Sequence, residues 1–288
     1  MNDDFSDAAL VLVGHGSTLN AASSAPVYQH AAELRRRSLF AQVTGCFWKG
    51  EPSVADVLRG VVAPRVFIVP LFISEGYFTE EIIPRELGLI APGQRGFARV
   101  QSRGAQTLFY GGPVGSHPSM TAVLLARAQE IVTKHPFPFP PKPSDTALFI
   151  AGHGTGKNDG SRRTIERQVG LIRAAASFAE VHPAFLEEEP RIADCFRIAQ
   201  ARNIVLVPFF ISDGLHTQED IPVLLGEPER LVRARIEKGQ PPWRNPTERH
   251  GKRLWYAPAV GSEAHLADVI LERVKEISTV QCGSGSQP

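Results

Sequence analysis

One phrase occurs twice in this chain. Ala8–Ser17 reads Ala-Ala-Leu-Val-Leu-Val-Gly-His-Gly-Ser, and Thr146–Lys157 reads Thr-Ala-Leu-Phe-Ile-Ala-Gly-His-Gly-Thr-Gly-Lys. In both, a short apolar run empties into Gly-His-Gly, the pattern of a buried parallel strand that ends in a tight loop. Glycine on either side of the histidine lets the backbone turn sharply and keeps bulk away from the imidazole. The separation of His15 and His153, 138 residues, then aligns a series of further landmarks. Glu51-Pro52 falls on Glu189-Pro190, and Val69–Gly76 (Val-Pro-Leu-Phe-Ile-Ser-Glu-Gly) on Val207–Gly214 (Val-Pro-Phe-Phe-Ile-Ser-Asp-Gly). Thr79, Ile83-Pro84 and Leu87 meet Thr217, Ile221-Pro222 and Leu225. Beyond an eight-residue insertion, Tyr110 and Val114–Ser116 meet Tyr256 and Val260–Ser262. Chance does not hold one offset over so many positions, so the chain is a fused duplication.

Each copy alternates strands with helices. Strands are expected at 9–13, 42–47, 65–72 and 107–110, and again near 147–151, 181–186, 204–210 and 254–256. Val27, Ala31 and Leu34 give an apolar helical stripe, as do Val54, Val57, Leu58 and Val61. A short helix over 80–87 follows Thr79 as N-cap, and 119–132 supplies the last helix of the first copy. This order predicts an α/β fold, with two tandem domains, each a mainly parallel four-stranded sheet flanked by helices. The run His135–Pro143 holds five prolines in nine residues and reads as a stiff linker. The expected organisation is a first repeat at 1–134, a linker at 135–145, a second repeat at 146–280 and a disordered tail at 281–288. The insertion falls within 226–252, rich in Arg, Glu and Pro, and reads as a surface excursion or lid.

Composition removes several classes of function. A net charge of +1 gives no global field toward nucleic acid or an anionic membrane. The longest apolar runs, such as 66–73 and 204–211, are too short to span a bilayer, and no signal-peptide core follows the acidic N-terminus. Three widely spaced cysteines form no Cys-x-x-Cys and point to a reduced, cytoplasmic setting. Neither glycine-rich nucleotide-binding pattern is present, so no nucleotide cofactor is implied.

In an open α/β sheet, ligands bind outside the carboxyl ends of the strands, and there the two copies differ. The second places His153, Glu187 and His216 after its first three strands; the first places His15, Lys49 and Phe78. Two imidazoles and a carboxylate from separate strand ends suit a divalent transition metal, whereas lysine and phenylalanine do not. Glu187, Glu188 and Glu189 are consecutive, and the sequence does not say which of them faces inward. Imidazole and carboxylate suit cobalt, iron, nickel and zinc alike. Lys157, Ser161, Arg162 and Arg163, just past the histidine loop, are candidates to hold anionic groups of a substrate. Each histidine also has a plain reading as a hydrogen-bonded loop residue, and the default for His30, His117, His135, His182, His250 and His265 is a surface or capping role.

The Gly-His-Gly-[Ser/Thr] strand ends, Phe185-Leu186-Glu187 and the stretch 207–222 (Val-Pro-Phe-Phe-Ile-Ser-Asp-Gly-Leu-His-Thr-Gln-Glu-Asp-Ile-Pro) resemble the class II chelatases, the sirohydrochlorin cobaltochelatases and ferrochelatases. The resemblance extends to 258–265 and so covers nearly the whole chain. It implies a lyase of siroheme or cobalamin biosynthesis that inserts Co2+, Fe2+ or Ni2+ into a polycarboxylate tetrapyrrole without ATP, in a cleft between two α/β units. The family's two histidines and glutamate, as metal-binding and catalytic residues, fall on His153, His216 and Glu187. His15 matches only the first position of that motif and is expected to line the cleft. In two-unit members the first unit is expected to carry the set; here the second does. A fused pair completes its own cleft, which favours a monomer over a homodimer. The competing reading is a non-catalytic protein of the same fold that carries metal or tetrapyrrole.

Overall fold

A computed structural model of the chain describes residues 4–18, 20–154 and 159–280. The same sheet is built twice. In the first, β1 (Ala8–Gly16) pairs parallel with β2 (Gln42–Lys49) on one side and β3 (Arg65–Pro70) on the other. β5 (Gln106–Tyr110) continues the parallel set beside β3, and β4 (Val100–Arg103) adds an antiparallel edge. The order is β2-β1-β3-β5-β4. The second sheet repeats it as β7-β6-β8-β10-β9, from β6 (Thr146–Gly152), β7 (Glu180–Phe185), β8 (Asn203–Pro208), β9 (Thr247–Arg249) and β10 (Lys252–Tyr256). The four parallel strands expected in each copy are present, and each sheet gains one strand at its edge. β4 and β9 carry little apolar alternation, so nothing in their sequence marks them; short, polar strands are how sheets blunt an edge.

Every residue of β6 is buried, and Ala147, Phe149 and Ala151, alternate residues of the strand, share one core layer with Ile204, Leu206 and Leu254. Ala9, Val11 and Val13 do the same in the first sheet with Val66, Ile68 and Leu108. Each large aliphatic or aromatic side chain so enclosed contributes about 2 kcal/mol. The helix expected around Val54–Val61 is only a short 3-10 turn, Val57–Gly60. Pro52 before it, Gly60 at its end and Pro64 after it leave too few residues to propagate beyond a nucleus.

The helices α1 (Ala25–Arg36), α2 (Ile83–Glu86), α3 (Met120–Lys134) and α4 (Gly160–Ala174) are joined further on by α5 (Cys195–Ile198), α6 (Ile221–Leu224), α7 (Glu229–Glu237) and α8 (Leu266–Ser278). α3 buries Met120, Val123, Leu124, Ala128, Ile131 and Val132, a single stripe at helical spacing, against β8 and β10. α8 packs against β3 and β5. One compact unit therefore runs to Ser119 and takes in the chain from Ala264 onward; the other is Met120–Glu263. The repeats read from the sequence and the units seen in space differ by one helix each. The excursion within 226–252 supplies α7, the buried Trp243 and the edge strand β9. His30, given a surface or capping role from the sequence, is instead buried on the inner face of α1. Among the described residues no helix is long and apolar enough to cross a membrane.

Candidate active site

In the Met120–Glu263 unit the chain leaves the central strand β6 for β7 on one side and returns to β8 on the other. The carboxyl ends at that reversal are where an open α/β sheet presents a ligand site. His153 directly follows β6, Glu187 lies two residues beyond β7, and His216 opens the turn after β8.

The backbone fixes the first two together. Gly154 takes φ +60°, and a Cβ there would meet the Phe185 side chain at 2.7 Å, so only glycine lets the loop pass this close. A Cβ on Gly152 would reach Ile165 Cδ1 at 2.1 Å. With both strands drawn in, the His153 carbonyl accepts from the Leu186 amide at 3.1 Å and the Glu187 amide at 3.2 Å. The loop bearing the carboxylate is thus anchored on the residue bearing the imidazole.

Ion pairing sorts the three consecutive glutamates. Arg162 of α4 lies over the Phe185 ring, donates to Glu188 Oε2 at 2.6 Å and to the Glu189 carbonyl at 2.6 Å. Arg191 donates to Glu189 Oε1 at 3.1 Å. Glu187 is left turned toward His153, with Oε1 3.7 Å from Nδ1. That nitrogen is buried and has no hydrogen-bond partner, which in a native fold calls for an explanation such as a water, an ion or a catalytic role.

His216 starts a single wide π-helical turn, His216–Asp220, that runs into α6. Thr217 Oγ1 donates to the Gly214 carbonyl at 3.1 Å, and the buried Tyr256 hydroxyl donates to the Thr217 carbonyl at 2.7 Å. Burial pushes the Tyr256 phenol well up, so it stays a donor. The His216 ring meets the His153 ring edge to face, with centroids 4.9 Å apart. His216 Nδ1 lies 2.7 Å from Asp220 Oδ2. A carboxylate there only accepts, so Nδ1 is the donor of this pair and Nε2 is the ring nitrogen left over.

Both histidines and Glu187 line one pocket of about 480 Å³, with Glu219, Asp220, Glu229 and Arg233 and the apolar Leu186, Leu215, Val223 and Leu224. Four carboxylates against one guanidinium make it a place for a cation. Among the described residues, however, no three His, Cys, Asp or Glu side chains are gathered closely enough to hold an ion as they stand. The donors share a pocket without being pre-closed on a point.

The remaining predicted positions are placed as follows. Arg162 is committed to Glu188, Glu166 and the Glu189 carbonyl, and the Glu188 and Glu166 carboxylates hold its guanidinium's pKa above the usual value. In the first turn of α4 Ser161 is half-buried and Arg163 is exposed, and Lys157 falls outside the described residues. His15 ends β1 in the other unit, exposed, its Nδ1 2.8 Å from the Gly16 carbonyl and its ring edge to face with Trp48 and Phe78 at 5.1 Å each. Lys49 sits over Trp48 at 4.8 Å. The corresponding strand ends there hold an aromatic cluster in place of a donor set.

Sequence reasoning passed over Asp220, Glu219, Glu229 and Arg233. A signal for the first was present: at the same offset the pair His216 and Asp220 replaces Phe78 and Ile82, so two polar residues arrive together on the same turn.

The CbiX family model matches residues 9–131 and again 147–277. A probable sirohydrochlorin cobaltochelatase of Halobacterium salinarum is 40% identical over 278 residues, covering 93% of this chain and 91% of that protein. A chloroplastic sirohydrochlorin ferrochelatase of Arabidopsis thaliana is 31% identical over 28% of this chain and 37% of its own length. Among solved structures, a multi-domain Deinococcus radiodurans protein with structural similarity to chelatases superposes at a TM-score of 0.74 with 29% identity. It covers 92% of this chain, which spans 54% of that longer one. SirB from Bacillus subtilis with Fe3+ shares the fold at a TM-score of 0.68 and 16% identity, over 94% of this chain and 96% of its own. With the family unit matched in both repeats and a relative of this identity aligned almost end to end, the chain belongs to the CbiX family of class II sirohydrochlorin chelatases.

Proposed function

We propose that the chain inserts a divalent metal ion, Co2+, Fe2+ or Ni2+, into a polycarboxylate tetrapyrrole of the sirohydrochlorin type, without ATP, and that it works in the cytoplasm. The observation that carries this reading is the convergence of His153, His216 and Glu187 from three neighbouring strand ends on one carboxylate-lined pocket. The metal here is a substrate. It has to be taken from solution and released into the macrocycle, and donors that share a pocket without being closed on one point suit transfer better than storage. The buried thiols of Cys46 and Cys195, both free, fit a reducing compartment.

As the ion enters, the macrocycle gives up two pyrrole N–H protons, so the site needs bases as well as ligands. His216 offers Nε2, and His153 offers an unpartnered Nδ1; each serves as ligand or proton acceptor. Glu187 adds negative charge beside His153 and draws the cation in. Ser161 and Arg163, with Lys157 beyond the described residues, are assigned to the substrate's carboxylates, and His15 to a contact with the macrocycle. Arg162 instead holds the loop that presents Glu187.

The test is to mix protein, sirohydrochlorin and each metal and follow the change in absorption as the metallated product forms. Acceleration over the protein-free rate is expected, with a loss of about 100-fold or more in His153→Ala and His216→Ala at limiting metal. Full metallation activity in His216→Ala at limiting metal would refute the residue assignment. Binding of metal and tetrapyrrole with no acceleration would instead establish a carrier.

A further inference from the structure

We propose that Asp220 is the positioning residue of the metal site: its carboxylate holds His216 in the tautomer and orientation that present Nε2 to the incoming ion. The proposal rests on the metal-insertion reading of the pocket.

The argument starts from what Asp220 does not do. It stands at the head of α6 and makes no side-chain capping bond to that helix. It is about half-exposed, so it fills no core. The neighbouring cation Arg233 pairs with Glu219 and Glu229 and leaves Asp220 alone. Its hydrogen bond is to His216 Nδ1, at 2.7 Å.

The sister repeat supplies the control. Phe78–Ile82 forms the same wide turn, leading into α2 as His216–Asp220 leads into α6. The tethers are also the same: Tyr110 donates to the Thr79 carbonyl at 2.8 Å, and Thr79 Oγ1 to the Gly76 carbonyl at 3.2 Å. Ile82 stands where Asp220 would be, so the turn is built without a carboxylate at that position. The acid is present only where the first residue of the turn is histidine. An imidazole that meets a metal through one nitrogen is held by a hydrogen-bond acceptor on the other, which fixes the ring and raises the basicity of the ligating atom. Free rotation of a half-exposed ring would otherwise scatter Nε2 over several rotamers and let either nitrogen carry the proton.

The test uses the full chain, the single variants Asp220→Ile, Asp220→Asn and His216→Phe, and the double variant His216→Phe with Asp220→Ile, with Co2+ alone titrated by its visible absorption. Asp220→Ile copies the sister turn, and a melting curve matching wild type checks that it folds. Its Co2+ affinity is expected to fall by about 10- to 100-fold. Asp220→Asn, whose amide oxygen still accepts from Nδ1–H, is expected to lose less. In metallation, the KM for metal should rise while the KM for tetrapyrrole stays put. In the His216→Phe background, Asp220→Ile should change nothing further. Wild-type Co2+ affinity in Asp220→Ile would overturn the proposal. A further loss in the His216→Phe background would also overturn it, since Asp220 would then be a ligand in its own right. Because this readout is metal binding, it stands or falls separately from the chelatase reading, which fails only if wild type does not accelerate metallation.

Discussion

Arg273→Met should destabilise the chain markedly, and the same change at Arg127 should not. The two arginines occupy equivalent positions on α8 and α3, and both are buried, at 7% and 4% exposure. Arg273 donates from Nε and Nη2 to the Pro113 carbonyl, at 3.1 and 2.8 Å, and from Nη2 to Ser116 Oγ at 2.7 Å. Arg127 makes only the last of these, Nη2 to Ser262 Oγ at 3.0 Å, and its Nε is buried without a partner. Each reaches an exposed glutamate one turn on, Glu276 and Glu130, which contributes little. Methionine keeps the length and the apolar stem. At position 273 it removes a forked, charge-assisted bond and a second bond, together about 3 kcal/mol. At position 127 the bond lost is offset by relief of the orphaned Nε, so the net cost is about 1 kcal/mol or less. The difference of about 2 kcal/mol corresponds to roughly 4–8 °C in melting temperature for units of this size. Urea unfolding followed by circular dichroism, with thermal melts alongside, measures it. Equal losses at the two sites, or a loss below about 1 kcal/mol at Arg273, would refute the argument from hydrogen-bond inventory.

Two further outcomes are expected. A Cβ at Gly115 would lie 2.2 Å from the Ile73 carbonyl oxygen and one at Gly261 1.6 Å from that of Ile211, so Gly115→Ala and Gly261→Ala should each cost about 3 kcal/mol or more, whereas Gly60→Ala, with nothing within 4 Å, should stay within about 0.5 kcal/mol; thermal melts distinguish them. Glu180 is pushed up by partial burial, but hydrogen bonds from His182 and from the Ala201 and Gln200 amides outweigh this and leave its carboxyl below the usual value. A depressed folded-state pKa means the stabilisation is complete above the unfolded value of about 4.3 and disappears as pH falls through the lower folded value. The stability gap between wild type and Glu180→Gln should accordingly be constant near neutrality and close on acidification, and a gap that widens below pH ~4 would contradict this.

Much of the architecture was legible because the duplication provided its own alignment. Where both copies agree, as at Gly14–Gly16 and Gly152–Gly154, the residues are needed to end a strand beside its neighbour; where they differ, as at Phe78 and His216, chemistry is the simplest reason. The allocation of α3 and α8 was not legible. Their apolar stripes say that each covers a sheet, but duplication makes the two sheet faces nearly alike, so pattern alone cannot choose between them. Arg127 and Arg273, charged residues inside those stripes, were the visible hint that each helix carries a polar lock as well as an apolar face.

The run Glu187-Glu188-Glu189 shows how a site can be hidden in plain composition. Three identical side chains carry no internal clue to direction, and the nearby Ser161-Arg162-Arg163 reads naturally as a basic patch for an anionic substrate. In the folded chain the two segments answer each other. Arg162 leans over Phe185, takes Glu188 and the Glu189 carbonyl, and Arg191 takes the Glu189 side chain. With those two carboxylates neutralised, Glu187 is the one left facing His153. Arg162 therefore matters to the metal without reaching it: its guanidinium decides which of three equivalent acids is spent on the pocket. That conclusion depends on a cation on α4 meeting a loop after β7, about 25 residues later, and on the strand order that brings them together.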